Sequence, residues 1–326
     1  MLGGLGILVI VVVTVVATLF VTRDGDAAPN SASTPTSSTT LVNSGVASAD
    51  DQRPVSLITE DPTCAAWTPI GDTLVERLPQ GWKDRDSSIP SSAWTPDMRA
   101  QYEDAATAMR AAAEQTVPLV SKTPHRVMRE LYEQAIAFWR DYADATNNYA
   151  PDDNYLANAS TAASNSLVSI CAAISSGSAA SRSLLMVPTS PPIDFAPIGD
   201  PSYPQRFLES PSPACVDWAA TASDFDSISA EWLRSDPNIP ASQWSADQQK
   251  VYSEVAVPMT DNANSLQDIA IRSKNAVFTD FADLAATYRR AYVQSFATYV
   301  PADAYLAKTA SQVVVLVNMA CSAAGN

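Results

Sequence analysis

Apolar and polar positions divide the chain into three textures. Residues 2–21 form an unbroken apolar run rich in Val, Leu and Ile, stopped by Arg23, Asp24 and Asp26. At 1.5 Å per residue a helix of that length crosses a hydrocarbon core of ~30 Å, so residues 1–22 are expected to be a transmembrane anchor. A cleaved signal peptide is the competing reading. It would show a basic start, a shorter apolar core and a small-x-small cleavage site, whereas no Lys or Arg precedes this run. Residues 23–61 are Ser, Thr, Ala, Pro and Asp with few aromatics. Such a composition buries too little apolar area to offset chain entropy, and a disordered stalk is expected there.

From residue 62 the period becomes helical. Val127, Leu131, Ala135, Phe138, Tyr142, Ala145 and Tyr149 recur at steps of three and four, as do Val277, Phe281, Ala285, Tyr288, Tyr292, Phe296 and Tyr299. Strand-type alternation is nearly absent. Thr95-Pro96 and Thr123-Pro124 read as a capping residue followed by a first-turn proline. Four helices are expected in the first unit, over about 64–79, 96–120, 124–148 and 151–175. Pro118 and Pro258 fall inside the second helix of each unit and should kink or break it.

The two periodic stretches are copies of each other. Residues 64–174 align with 215–324 at an offset of 151 that becomes 150 after one single-residue gap. Cys64 and Trp67 match Cys215 and Trp218, Trp82 matches Trp232, and Trp94 matches Trp244. Tyr149-Ala-Pro-Asp-Asp-Asn-Tyr155 matches Tyr299-Val-Pro-Ala-Asp-Ala-Tyr305, and Cys171 matches Cys321. The expected fold is therefore all-α: two tandem four-helix-bundle-like domains, 62–175 and 213–326, joined by a Pro-rich linker, 176–212, behind the transmembrane helix. In an up-down-up-down bundle the start of helix one and the end of helix four share an end. The expected disulfides are thus Cys64–Cys171 and Cys215–Cys321, with pairing between repeats as the alternative. Disulfides persist outside the cytosol, which puts the bulk of the chain on the extracytoplasmic side of the membrane with its N-terminus inside.

Charge and chemistry then narrow the function. A net charge of −15, from 20 Lys+Arg against 35 Asp+Glu, repels phosphate backbones and argues against nucleic acid as a partner. The lone histidine, His125, sits at a helix start opposite Asn275 and reads as a solvated side chain. No nucleophile elbow, His-Glu-x-x-His or phosphate-cradling Gly-rich loop is present, so no catalytic residue, metal ligand or cofactor is expected. The duplicated Asp153 and Asp303 read as helix-start carboxylates. The candidate binding surface is aromatic: Trp82, Trp94, Tyr149 and Tyr155 in the first repeat, with Trp232, Trp244, Tyr299 and Tyr305 in the second. Topology places the Trp block beside the Tyr block at the bundle end opposite the disulfide. There the rings either cap the core or face a ligand.

Arg outnumbers Lys fifteen to five and Ala is abundant, as in GC-rich genomes. With the anchor, the Ser/Thr/Pro stalk and the Cys-closed domains, the chain resembles the single-pass cell-envelope proteins of unknown function of actinobacteria. The resemblance is one of layout and implies an exported, envelope setting. The expected role is a non-catalytic, membrane-tethered extracytoplasmic binding or scaffold protein, held by residues 2–21, whose partner is an envelope protein or envelope component. A lipid or small-molecule carrier accessory to envelope assembly is the alternative, and it would need an apolar cavity between the helices.

Overall fold

A computed structural model describes residues 45–186 and 191–325. The expected anchor, 1–22, and residues 23–44 of the expected stalk lie outside the described residues.

The first repeat opens with α1 (Cys64–Arg77), which ends where the chain turns extended at Leu78. Two short 3-10 turns, Trp82–Asp84 and Ser91–Ala93, lead to α2 (Pro96–Lys122). Thr95 caps α2 by accepting the Met98 N–H at 3.2 Å, and Pro96 occupies the first turn, where its missing donor costs nothing. The anticipated start of the next helix at Pro124 is two residues early. Thr123 ends α2, its hydroxyl donating 2.5 Å to buried Asp61, and α3 runs Arg126–Ala145 with His125 in the capping position. The turn Pro151–Asp153 then enters α4 (Asn154–Ser175). Here α1 packs on α2 and α4, α2 on α3, and α3 on α4, the ring of neighbours of a four-helix bundle.

The second repeat reproduces this order with α6 (Pro213–Ile228), a one-turn α7 (Ala230–Leu233), α8 (Ala246–Ser273), α9 (Ala276–Ser295) and α10 (Ala304–Ala323). No strand occurs among the described residues. Disulfides join Cys64 to Cys171 and Cys215 to Cys321, with Cα separations of 5.4 and 5.6 Å. Neither internal proline breaks its helix: α2 runs through Pro118 and α8 through Pro258.

One expectation is corrected. Residues 45–61 are not a free stalk but a packed strap. Val55, Leu57 and Ile58 are buried in the core, the Ala47 N–H donates to the Ser121 carbonyl, and the Ile58 N–H donates to the Tyr288 hydroxyl across the repeat boundary. The described parts of the Pro-rich connecting stretch, residues 176–186 and 191–212, pack against the repeats. The stretch contains α5 (Ser178–Ser183), and its Arg182 pairs with Asp303 at 2.7 Å. Its Phe207 packs edge-on against Phe281 at 5.3 Å, and Gln134 brackets the segment by donating to the Gln205 carbonyl and accepting the Phe207 N–H.

These clamps serve a larger contact. The most extensive helix pairing in the molecule is α4 against α10, and α3 also meets α9, so one apolar core runs through both repeats. The buried face of α4 is Ala157, Ala159, Ser160, Ala162, Ala163, Ser166, Leu167, Ile170 and Ala173, small enough to admit the Val- and Leu-rich face of α10. The helix Pro301–Ala323 is long and apolar enough to cross a membrane by length and composition. In this fold it is a core helix, half buried and tied by Cys321 to α6.

Candidate functional site

Six of the eight aromatic residues singled out above join two ring clusters, one per repeat, and Tyr155 and Tyr305 stand outside them. In the first repeat Trp94 stacks on Tyr149 with centroids 5.4 Å apart and lies 4.0 Å from Tyr102, while Trp82 meets Tyr102 edge-on at 5.2 Å. In the second, Trp244 stacks on Tyr299 at 5.5 Å and on Tyr252 at 4.0 Å, and Trp232 meets Tyr292 at 5.7 Å. The polar handles of the stacked Trp–Tyr pair are bound alike in both copies. Trp94 Nε1 donates to the Ile89 carbonyl at 2.9 Å, and Trp244 Nε1 to the Ile239 carbonyl at 2.8 Å. Tyr149 donates to the Ser87 carbonyl and Tyr299 to the Pro237 carbonyl. Burial removes the charged form from solvation and pushes both phenols well above their usual range.

Trp82, Tyr149 and Tyr299 are buried, and Trp94, Trp232, Trp244 and Tyr305 pack against the core with part of each ring covered. Only Tyr155 of the eight is exposed, at 36%. The rings cap the bundle end and leave little continuous aromatic face to a ligand. Asp153 and Asp303 accept the Ala150 and Val300 N–H groups at the turn into the fourth helix, and buried Asp303 also takes Arg182 and the Ser178 hydroxyl from α5. His125 is not free in solvent: its Nε2 lies 2.9 Å from the Glu60 carbonyl.

The feature the sequence did not announce lies where the repeats meet. Glu130 on α3 and Asp280 on α9 occupy equivalent positions at the 150-residue offset, and both are buried. Arg126 joins them, forking onto Asp280 through Nε at 2.6 Å and Nη2 at 2.9 Å, with side-chain exposures of 4% and 1%. The strap closes over this pair. Asp51 accepts the Arg126 backbone N–H at 2.9 Å, and its carbonyl accepts Arg126 Nη1. Arg129 reaches Glu133 at 3.0 Å and Glu130 at 3.4 Å.

Electrostatics follow from the geometry. Burial, reinforced by the nearby Asp280 charge, pushes the Glu130 carboxyl well above the usual carboxylate range despite Arg129. Glu133 is raised by burial as well, against the pull of Arg129. Asp51 is held below the usual range: burial opposes this, but hydrogen bonds from Arg53 and the Arg126 backbone prevail. Charge at this junction is thus nearly balanced in place. No cluster of three or more His, Cys, Asp or Glu among the described residues could hold a metal ion. The periodicity could not show this site, because Arg126, Glu130 and Asp280 read as the polar side of ordinary amphipathic helices. The one available signal was the recurrence of an acid at the same position in both copies.

Two hollows have mixed linings, polar and apolar in nearly equal measure. One, of about 80 Å³, sits beside the ionic junction. The other is an open groove of about 310 Å³ between α6 and α8, lined by residues including Asp217, Asp268 and Arg272.

Comparison with known proteins places the chain. An uncharacterized protein of Mycolicibacterium smegmatis (strain MKD8) is 44% identical over 328 residues, an alignment covering all of this chain and 86% of that relative. No solved structure matches the chain. A family model described as mycobacterial ESX-1 associated protein matches residues 46–325, which takes in both repeats, the strap and the linker. The chain belongs to the family of mycobacterial ESX-1 associated proteins.

Proposed function

We propose that this protein is a non-catalytic scaffold or binding component that works beside the ESX-1 secretion machinery, tethered by residues 2–21 with its bulk on the extracytoplasmic side. The observation that carries the scaffold half is the fusion of two disulfide-closed bundles into one body. Their interior is filled by α4 and α10, and Arg126 of the first is ion-paired with Asp280 of the second. The secretion half rests on family membership. A rigid, filled body suits presentation of a surface better than enclosure of a ligand. Drug-sized sites usually occupy ~300–1,000 Å³ of mostly apolar cavity. For the carrier alternative the 80 Å³ hollow is too small, and the 310 Å³ groove, though of that size, is open and carries Asp217, Asp268 and Arg272 in its lining.

The test is photo-crosslinking in mycobacterial cells from two exposed positions, Tyr155 and Val257. Adducts containing ESX-1 components, absent from a strain lacking that system, are the expected result. The same adduct pattern in both strains would overturn the secretion-linked reading. Deleting residues 1–22 should move the chain out of the membrane fraction, and retention there would overturn the tether.

A further inference from the structure

The duplication supplies a template for binding. On the second repeat the turn Pro301–Asp303 is packed against α5 of the connecting stretch. The Ser178 hydroxyl donates to Asp303 Oδ1 at 2.8 Å, and Arg182 forks onto the same carboxylate through Nε at 3.1 Å and Nη2 at 2.7 Å. Arg182 also donates to the Thr298 hydroxyl at 2.7 Å and to the Thr298 carbonyl at 3.0 Å. Ser178 and Ala179 are buried beneath this clamp. Ser178 and Arg182 stand four positions apart, so the site reads one face of a single helical turn, Ser-Ala-x-x-Arg.

The first repeat carries the same receptor without the occupant. At the 150-residue offset Asp153 stands for Asp303, Asn148 for Thr298 and Tyr155 for Tyr305. The turn is built alike: Asp153 Oδ2 accepts the Ala150 N–H as Asp303 Oδ2 accepts that of Val300. Among the described residues, however, no donor reaches Asp153 Oδ1 and no arginine pairs with this carboxylate. The neighbouring Arg85 is engaged elsewhere, with Asn154 and the face of Trp82. Exposure follows occupancy. Asp303 is buried and Tyr305 partly covered, whereas Asp153 is partly exposed and Tyr155 exposed. Asp152, where the second repeat has Ala302, is exposed and adds a carboxylate that the template lacks. Residues 1–44 and 187–190 hold a single basic side chain, Arg23, and four positions before it stands Leu19 in place of a hydroxyl. The matching turn therefore comes from another chain.

We propose that the Asp153 face of the first repeat docks an arginine-bearing helical turn of a partner protein. The arginine forks onto the Asp153 carboxylate and the Asn148 carbonyl, and a small hydroxyl residue four positions earlier donates to Asp153 Oδ1. The fork selects Arg over Lys, and the paired charges of Asp152 and Asp153 favour a basic helix. One receptor, duplicated, thus holds the chain's own connecting segment on the second repeat and a partner on the first. This inference rests on the duplication and not on the secretion-linked reading.

The experiment uses the full chain in detergent micelles and, as probe, a fluorescein-labelled peptide of residues 176–186. A staple between the exposed positions 180 and 184 preforms its helix and leaves Ser178, Ala179 and Arg182 clear. Fluorescence anisotropy should show saturable, one-to-one binding, and the same peptide carrying Arg182→Ala should bind about tenfold more weakly or worse. Two variants of the chain locate the site. Asp153→Asn removes the charge but keeps an oxygen for the Ala150 N–H, and Asn148→Arg sets a competing cation at an exposed position. Each should weaken the peptide by about tenfold or more while leaving the unliganded melting temperature within a few degrees. Absence of saturable binding, undiminished binding to Asp153→Asn, or equal binding of the Arg182→Ala peptide would each overturn the proposal. The second of these would mean that the peptide displaces α5 from Asp303. Concentration-dependent dimerisation of the full chain that Asp153→Asn abolishes would overturn the partner assignment and give the site to a second copy.

Discussion

At the residue scale the duplication acts as an internal control. Position 139 in the first repeat is Trp, stacked at 6.2 Å on Trp67, whereas its equivalent at 289 is Arg. Arg289 is buried over the Phe225 ring at 4.2 Å with no carboxylate at ion-pair distance, and burial lowers its pKa to about 10, opposed only by the more distant Asp226. A buried, incompletely paired guanidinium destabilises. Arg289→Met should therefore raise the urea midpoint, by about 1–3 kcal/mol of stability, and a fall would show that Arg289 has a partner in solution. Arg126 is the opposite case, because its removal strands Asp280 in the core. Arg126→Ala should cost about 3–5 kcal/mol by denaturant titration. Glu130 adds a pH dependence. Its folded pKa is raised, so the native state holds a proton that the unfolded chain releases near the ordinary value of 4.5. Its favourable contribution is complete below that value and is lost as pH rises through the folded pKa. Stability should fall across that window, and Glu130→Gln should flatten the slope. An unchanged slope would assign the titration to Glu133 or Asp283 instead, both raised by burial.

Helices, turns and disulfides were largely legible from the chain, since each depends on short-range chemistry. The Tyr-x-Pro-x-Asp turn closes through its own backbone and its own carboxylate. The Thr95-Pro96 start is a local cap, and the disulfides follow from bundle topology. With partners 107 and 106 positions apart in sequence, opening either disulfide by Cys→Ser should cost about 4–5 kcal/mol, read as a lowered denaturant midpoint. The strap was not legible. Residues 45–61 have the composition of a disordered tail, and their few apolar side chains are buried only because a neighbouring groove exists to receive them. Of the two outcomes expected at Pro118 and Pro258, a break does not occur: each helix continues through its proline despite the missing donor. At the α4–α10 seam, Ala163 is fully buried among small residues, and Ala163→Leu should destabilise by about 1–3 kcal/mol through overpacking.

For the molecule as a whole, two sequence repeats become one folding unit. Equivalent helices face each other, α4 with α10 and α3 with α9, as a two-fold relation between the copies would produce. A fragment of residues 62–175 would expose the small-residue face of α4 and leave Arg126 without Asp280. It should therefore fail to give a cooperative transition, while the whole chain unfolds in one step. Separate transitions for the two repeats would show that the shared core is energetically minor.

What the sequence alone determined is whatever repeats along the chain with a short physical period: the helices, their copies, the disulfide partners and the aromatic caps. Each is encoded by residues near in sequence or by matched positions in two copies. The choice between two beads and one body, the burial of the strap, and the meeting of Glu130, Arg126 and Asp280 were decided only in three dimensions. Whether a polar helix face meets water or another polar helix depends on long-range docking, and the local pattern of hydrophobic and charged positions is the same in either case.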